Sequence, residues 1–280
     1  MELTKEYISS LLPKRPKDAN KGTFGKVLAV AGSENYPGAA YLACAACYRV
    51  GAGLVTLATT PEVKITVSKK LPEVTFLLYD EVFEELSEYD VLLFGPGLGQ
   101  KEEITKLIEK LLKEKLPKTV IDGDGLNIIS KMDKWWEKLN KEAMLTPHPG
   151  EMSRLTGLSI HEIQKRRTLV AQEFANKWGK VIVLKGANSV VVSPAGKVII
   201  SPFANPLLAS AGTGDILSGM ISGFIAQGVN NFDAAILGVY IHGLAGEMVK
   251  DKIGDAGMLA SDLLPILPII IKQLKNNYST

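Results

Sequence analysis

The sequence predicts an α/β fold: a mainly parallel sheet layered with helices. Three observations predict it. Short apolar runs alternate with amphipathic runs along the chain, the pattern of repeated strand–helix units. Several of the apolar runs are continuous Val/Ile/Leu stretches without polar alternation, as parallel strands covered on both faces require. One pair of runs, 190–192 and 198–200, is joined by Ser-Pro-Ala-Gly-Lys, a Pro/Gly turn that reads as an antiparallel hairpin at one edge.

In chain order, the strand expected at 27–31 feeds an Ala-rich helix at 39–50, and the strand at 54–59 feeds a helix at 62–70. Strands at 91–94, 119–122, 143–146 and 181–184 follow, with helices at 102–115 and 160–178 among them. After the hairpin come helices at 214–227, 233–249 and 261–274. No repeat, low-complexity tract or linker divides the chain, so residues 1–280 are expected to form a single domain.

Composition narrows the function classes. Hydrophobic residues are 46% and charged residues 22%, which excludes disorder and collagen-like repeats as the theme. Lys plus Arg is 32 against 30 for Asp plus Glu. A net charge of +2 gives no electrostatic basis for nucleic-acid or membrane-surface binding. Two cysteines build no disulfide framework and fit a reducing compartment. The opening segment does not read as a signal peptide. Arg49, Pro265 and Pro268 interrupt the apolar stretches before they reach the ~18 residues of a membrane span. A soluble, cytoplasmic protein is expected.

The richest motif is Asn-Pro-Leu-Leu-Ala-Ser-Ala-Gly-Thr-Gly-Asp-Ile-Leu-Ser-Gly at 205–219. Ala211, Gly212, Thr213 and Gly214 form a small-residue loop before an apolar helix. Such a loop lets backbone amides and the helix dipole meet an anion. Asp215 stands at that helix start. A carboxylate beside bound phosphate makes sense as a base for an attacking hydroxyl; the competing reading is a helix cap.

Other candidates lie where strands end. Gly-Pro-Gly-Leu-Gly at 95–99 is a ligand rim or a tight turn, and not a dinucleotide fingerprint. Asp122 and Asp124 of Asp-Gly-Asp-Gly-Leu-Asn hold a ligand or hydrated Mg²⁺, or cap the next helix. His148, held between two prolines, is a ligand contact or a capping residue, with Glu151 at a helix start three residues on. Lys185 and Gly186 directly follow a strand, where a lysine suits a diphosphate or is a solvated edge residue. Ala39 and Ala40 are small enough for a planar ring to lie close. Cys44 and Cys47 read as core packing, and His242 and Glu247 as structural residues of an apolar helix. Trp135 and Trp136 read as a helical surface or subunit contact.

Taken in order, Lys-Gly-Thr-Phe-Gly-Lys-Val-Leu-Ala-Val-Ala-Gly-Ser, Tyr-Pro-Gly-Ala-Ala, GPGLG, DGDGLN, TPHPGE, VLKGA and AGTGDILSG resemble the ADP- or ATP-dependent NAD(P)H-hydrate dehydratases, a branch of the ribokinase-like superfamily. The resemblance runs from about Lys21 to about Gly257. It implies a ribokinase-like three-layer α/β/α sandwich with a mainly parallel central sheet. It implies repair of hydrated NADH or NADPH, with ADP or ATP as phosphoryl donor and Mg²⁺ as cofactor; a free-standing chain looks like the ADP-using kind. It implies Asp215 as base and Gly212, Thr213 and Gly214 as an anion hole. It implies Lys185, Gly186, Ala187, Asn188, Ser189 and Gly214 as nucleotide contacts, and Ala40, Gly97, Gly99, His148 and Asp215 as hydrate contacts. Glu151 falls where related kinases place an acid serving Mg²⁺ through its waters, with Asp122 assisting. A tetramer is favoured, with an epimerase on another chain. Leu207 and Ala211 replace glycines common in the family's loop. The alternatives are a ribokinase-like small-molecule kinase of the hydroxyethylthiazole or hydroxymethylpyrimidine kinase type, and a non-catalytic nucleotide sensor.

Overall fold

The computed structural model describes residues 3–276. The elements run α1 (Lys5–Leu11), β1 (Lys26–Val30), α2 (Pro37–Arg49), β2 (Leu54–Ala58), α3 (Pro61–Ser68), β3 (Thr75–Leu77), α4 (Val82–Glu85), β4 (Val91–Phe94), α5 (Glu102–Leu111), β5 (Lys118–Ile121) and α6 (Gly123–Ile129). They continue β6 (Ala143–Leu145), α7 (Pro149–Thr156), α8 (Ile160–Lys165), α9 (Arg167–Trp178), β7 (Val181–Leu184), β8 (Val190–Val192), β9 (Val198–Ile200), α10 (Thr213–Ala226), α11 (Asn231–Ile253) and α12 (Leu267–Asn276).

The strands form one nine-stranded sheet in the order β3-β2-β1-β4-β5-β6-β7-β8-β9. Pairing is parallel from β3 through β7 and antiparallel at β7–β8 and β8–β9. The expected edge hairpin is therefore present. Both faces are covered, and β1 shows how. Val27 and Ala29 pack into the core shared with α2, α10 and α11, while Leu28 and Val30 pack into the core shared with α5, α6 and α9. Side chains alternate faces along a strand, so a strand buried on both sides has to be apolar at every position.

Some expectations shift. The helix expected at 160–178 is two helices, α8 and α9, broken at Arg166 (φ −138°, ψ 44°). The one expected at 261–274 becomes a 3₁₀ turn (Ala260–Leu263) and α12, because Pro265 cannot continue a helix while Pro268 is tolerated in a first turn. Helix α11 is longer than expected. By length and composition it could cross a membrane, but 72% of its apolar window is buried inside this fold, so it is a core helix. Trp135 is buried, in ring contact with Trp136 and Trp178, and is not a surface residue. Cys44 and Cys47 are free thiols in the packed face of α2. There α10 comes close enough for Cys47 Sγ to donate to the Gly219 carbonyl at 3.1 Å.

Candidate active site

The strand order reverses between β1 and β4, and in open parallel sheets ligands bind outside the carboxyl ends of strands at such a point. The sequence candidates converge on that edge. Asp122 follows β5, Lys185 follows β7, and the start of α10 carries Asp215, with Thr146, which the sequence did not single out, following β6.

Asp122 occupies the position before α6 but caps nothing. Its Oδ1 accepts from Thr146 Oγ1 at 2.8 Å and from Lys185 Nζ at 2.5 Å. Lys185 Nζ also lies 3.8 Å from Glu151 Oε2. Asp122 and Glu151 are only 2% and 4% exposed. Lys185 is thus a largely shielded cation between two carboxylates, not a solvated edge residue. Burial disfavours its ammonium, but Asp122 and Glu151 outweigh that and hold its pKa above the usual lysine range. Glu151 shifts the other way. Burial pushes its carboxyl up to about 7, with Asp122 adding and Lys185 opposing.

His148 is the N-cap of α7. Its Nδ1 accepts from the amides of Gly150 (2.9 Å) and Glu151 (3.3 Å), while its own amide donates to Glu151 Oε2 at 2.7 Å. This reciprocal cap fixes the ring. Partial burial and then Lys185 lower its pKa, consistent with a neutral ring whose Nδ1 accepts. The outer part of the ring stays exposed.

The loop before α10 is pinned by Thr213, whose Oγ1 reaches the carbonyls of Leu208 (2.8 Å) and Ser210 (2.9 Å). Gly212 adopts φ +93° as the residue before the helix, a conformation that disfavours a side chain. Among the described residues, the amides of Gly212, Gly214 and Asp215 donate to no protein acceptor, and nothing hydrogen-bonds the Asp215 carboxylate. The capping reading of Asp215 therefore fails. Burial, reinforced by the charge of Asp122 and opposed by Lys185, pushes its carboxyl up to about 7. A Cβ built on Gly214 would stand 3.2 Å from Lys185 Nζ, so the lysine reaches the same loop.

Two clefts meet this edge. One of about 230 Å³ runs from Lys185 and Gly186, past Thr213 and Gly214, to Asn205 and His242. The turn after β7 forms its rim. There Ser189 Oγ pairs with Gly186, Asn188 (φ +53°) donates to the Ser201 carbonyl at 2.9 Å, and Ala187 is exposed. The second cleft, about 440 Å³, is lined by Ser33, Tyr36, Tyr79, Gly99, Gln100 and Lys101. Asp124 organises it by accepting from the Gly99 amide at 2.8 Å and Gln100 Nε2 at 3.2 Å, rather than capping α6. Gly97 packs against Tyr36 and Ala39. Ala40 is 0% exposed against Gly32, so the structure does not bring its side chain into the cleft as the sequence suggested. Leu207 turns into the core, and its amide donates to Asn205 Oδ1 at 2.9 Å. Sequence reasoning passed over Thr146 and Asn205, and took His242 as structural.

Comparison with known proteins agrees with this geometry. The model of the NAD(P)H-hydrate dehydratase family matches residues 27–269. The bifunctional NAD(P)H-hydrate repair enzyme of Moorella thermoacetica is 38% identical over 99% of this chain and 55% of its own length. The chain spans about half the length of the bifunctional relatives it matches. The ADP-dependent (S)-NAD(P)H-hydrate dehydratase of Bacillus subtilis is 34% identical over 97% of this chain and 98% of its own. A crystal structure of the ADP/ATP-dependent NAD(P)H-hydrate dehydratase from that organism, grown with ATP and Mg²⁺, superposes with a TM-score of 0.87 at 34% identity over 97% of each chain. A hydroxyethylthiazole kinase of Pyrococcus horikoshii, at 14% identity over 98% of each chain and a TM-score of 0.69, shares the fold alone. The chain belongs to the NAD(P)H-hydrate dehydratase family, on a ribokinase-like fold.

Proposed function

We propose that the protein is an ADP- or ATP-dependent (S)-NAD(P)H-hydrate dehydratase of the cytoplasm, with ADP the favoured donor. The observation that carries this reading is the Asp215 carboxylate. It is unpaired, raised to about 7, and set among three free amides beside a largely shielded lysine. Hydroxide is a poor leaving group and phosphate a good one, so dehydration needs a kinase-like half before an elimination. Asp215 takes the proton as the hydrate's hydroxyl oxygen attacks the terminal phosphorus and the bond to the nucleotide breaks. The amides of Gly212, Gly214 and Asp215 receive the developing charge on the phosphoryl oxygens. The C–O bond then breaks with phosphate leaving, a proton leaves the neighbouring carbon, and the ring double bond returns. From ADP the products are AMP, phosphate and the reduced cofactor.

The cleft beside Lys185 to Ser189 suits the nucleotide, and that beside Gly99 suits the hydrate. No group of three His, Cys, Asp or Glu among the described residues forms a metal cage. Asp122 and Glu151 instead fit a Mg²⁺ carried by the phosphates, which they would hold through its waters. That ion supplies charge neutralisation of the phosphates. The test is to incubate the protein with hydrated NADH, Mg²⁺ and ADP or ATP. Reduced nicotinamide should reappear by absorbance, and Asp215→Asn should lower turnover by ~10²–10⁴. A phosphorylated small alcohol as sole product would move the chain to the kinases.

A further inference from the structure

The 230 Å³ cleft has a polar feature that this mechanism leaves unused. Two of its lining residues carry a buried side-chain atom with no hydrogen-bond partner, Asn205 Nδ2 and His242 Nε2. Asn205 is 9% exposed and His242 8%. Roughly nine in ten buried polar groups are paired, and an orphan costs the full desolvation of the group. Two orphans on one cleft therefore point to a ligand that supplies both partners.

The chemistry of each side chain sets what its orphan can do. Asn205 Oδ1 accepts from the Leu207 amide, so the amide is oriented and Nδ2 is left as a donor without a partner. His242 Nε2 is the unpartnered nitrogen of its ring, able to accept or donate according to the tautomer. Burial, with Lys185 adding, drives this imidazole's pKa down to about 4, so the ring is neutral. The cleft thus offers the Asn205 donor and an imidazole nitrogen, both uncharged, among the apolar walls of Phe203, Leu208, Leu217 and Val239. Such a surface suits a nucleoside rather than its phosphates, whose charge matches Lys185.

We propose that Asn205 and His242 read the nucleoside of the phosphoryl donor, Asn205 Nδ2 donating to it and His242 Nε2 making a second hydrogen bond with it. This rests on the nucleotide reading of the cleft. Two parts of an adenine nucleotide carry a donor beside an acceptor: the amino edge of the base and the ribose hydroxyls.

The test pairs variants with analogues in calorimetric titrations of the full chain. The nucleotides are ADP, inosine diphosphate (a carbonyl for the amino donor), and 2′- and 3′-deoxy-ADP, each with Mg²⁺. The variants are Asn205→Ser, whose hydroxyl can keep the Leu207 cap while withdrawing the Nδ2 donor, and His242→Phe. Each variant should bind ADP roughly tenfold more weakly than wild type. The analogue lacking the matching group should lose a similar factor on wild type and little more on the variant. A loss with inosine diphosphate assigns the pair to the base, and a loss with a deoxy analogue assigns it to the ribose. His242→Gln, which can offer both a donor and an acceptor, should recover part of the affinity. The proposal is overturned if both variants bind ADP within about twofold of wild type, or if variant and analogue losses simply add. Should His242→Phe fail to fold, Asn205→Ser and the wild-type analogue series decide alone. Folded wild type that binds none of these nucleotides would sink the nucleotide reading itself, a separate result.

Discussion

The pH dependence of turnover tests the base role of Asp215 most directly. An ordinary aspartate, near 3.8, is fully ionised from pH 6 to 8 and gives a flat profile. Here burial and the charge of Asp122 lift the Asp215 carboxyl to about 7. A base must be deprotonated to accept a proton, so kcat/KM should rise with pH and level off above about 7. One unit below its pKa a group is about one-tenth ionised, so pH 6 should give about a tenth of the plateau rate. The assay is kcat/KM for the hydrate between pH 5.5 and 9, followed by nicotinamide absorbance. Glu151 also titrates near 7, so the series includes Glu151→Gln, which should keep the rising limb. A profile flat from pH 6 to 8, or a limb abolished by Glu151→Gln, would refute the assignment. The same shift sets a stability sign. A carboxyl raised from 3.8 to about 7 binds its proton more tightly in the folded state. Folded stability therefore falls as pH climbs between those values and is lowest above 7. At 1.36 kcal/mol per unit the upper bound is about 4 kcal/mol. Asp215→Asn, though inactive, should unfold several degrees higher than wild type at pH 8 and at the same temperature near pH 4.

Other outcomes follow from particular contacts. Lys185→Met leaves Asp122 buried without its cation, so urea unfolding at pH 7 should show a loss of about 3–5 kcal/mol together with loss of nucleotide binding. Gly95→Ala puts a Cβ 1.8 Å from the Asp122 carbonyl at φ +124°, so soluble yield and melting temperature should collapse, by more than about 4 kcal/mol in stability. His148→Ala removes the α7 cap and should cost about 1 kcal/mol by thermal unfolding. If the ring also touches the hydrate, KM for it should rise severalfold while KM for the nucleotide stays put.

The parallel core was legible because a strand covered on both faces has no place for polar alternation; β1, β4, β5 and β7 announce themselves as apolar runs. Strand β3 was invisible for the converse reason. Its three residues, Thr75–Leu77, lie half-exposed at the sheet edge and bury too little to leave a pattern. Helix α6 was hidden by its own chemistry. Two glycines and an acid open it, and burial of Leu126, Ile128 and Ile129 holds it rather than propensity. The glycine-rich loop before Asp215 was readable because a small-residue run ahead of an apolar helix is a local signal. The Lys185–Asp122 pair was not. It joins residues 63 positions apart, and only the parallel pairing of β5, β6 and β7 makes their ends adjacent. His242 shows the limit most sharply. Its sequence context is an apolar helix, and only an unpartnered nitrogen on a cleft separates it from a core histidine.

That long-range arrangement also explains the charge state of the site. Three carboxylates, Asp122, Glu151 and Asp215, surround a single lysine. Desolvation and the charge of Asp122 therefore hold protons on Glu151 and Asp215 near neutrality. A nucleotide phosphate entering beside Gly214 adds negative charge that Lys185, already paired with Asp122, only partly offsets. The pocket is short of positive charge for its anionic ligand, and a cation arriving with the phosphates would supply it. The same shortage keeps Asp215 poised close to neutral pH, where a carboxylate is a stronger base than one left in water.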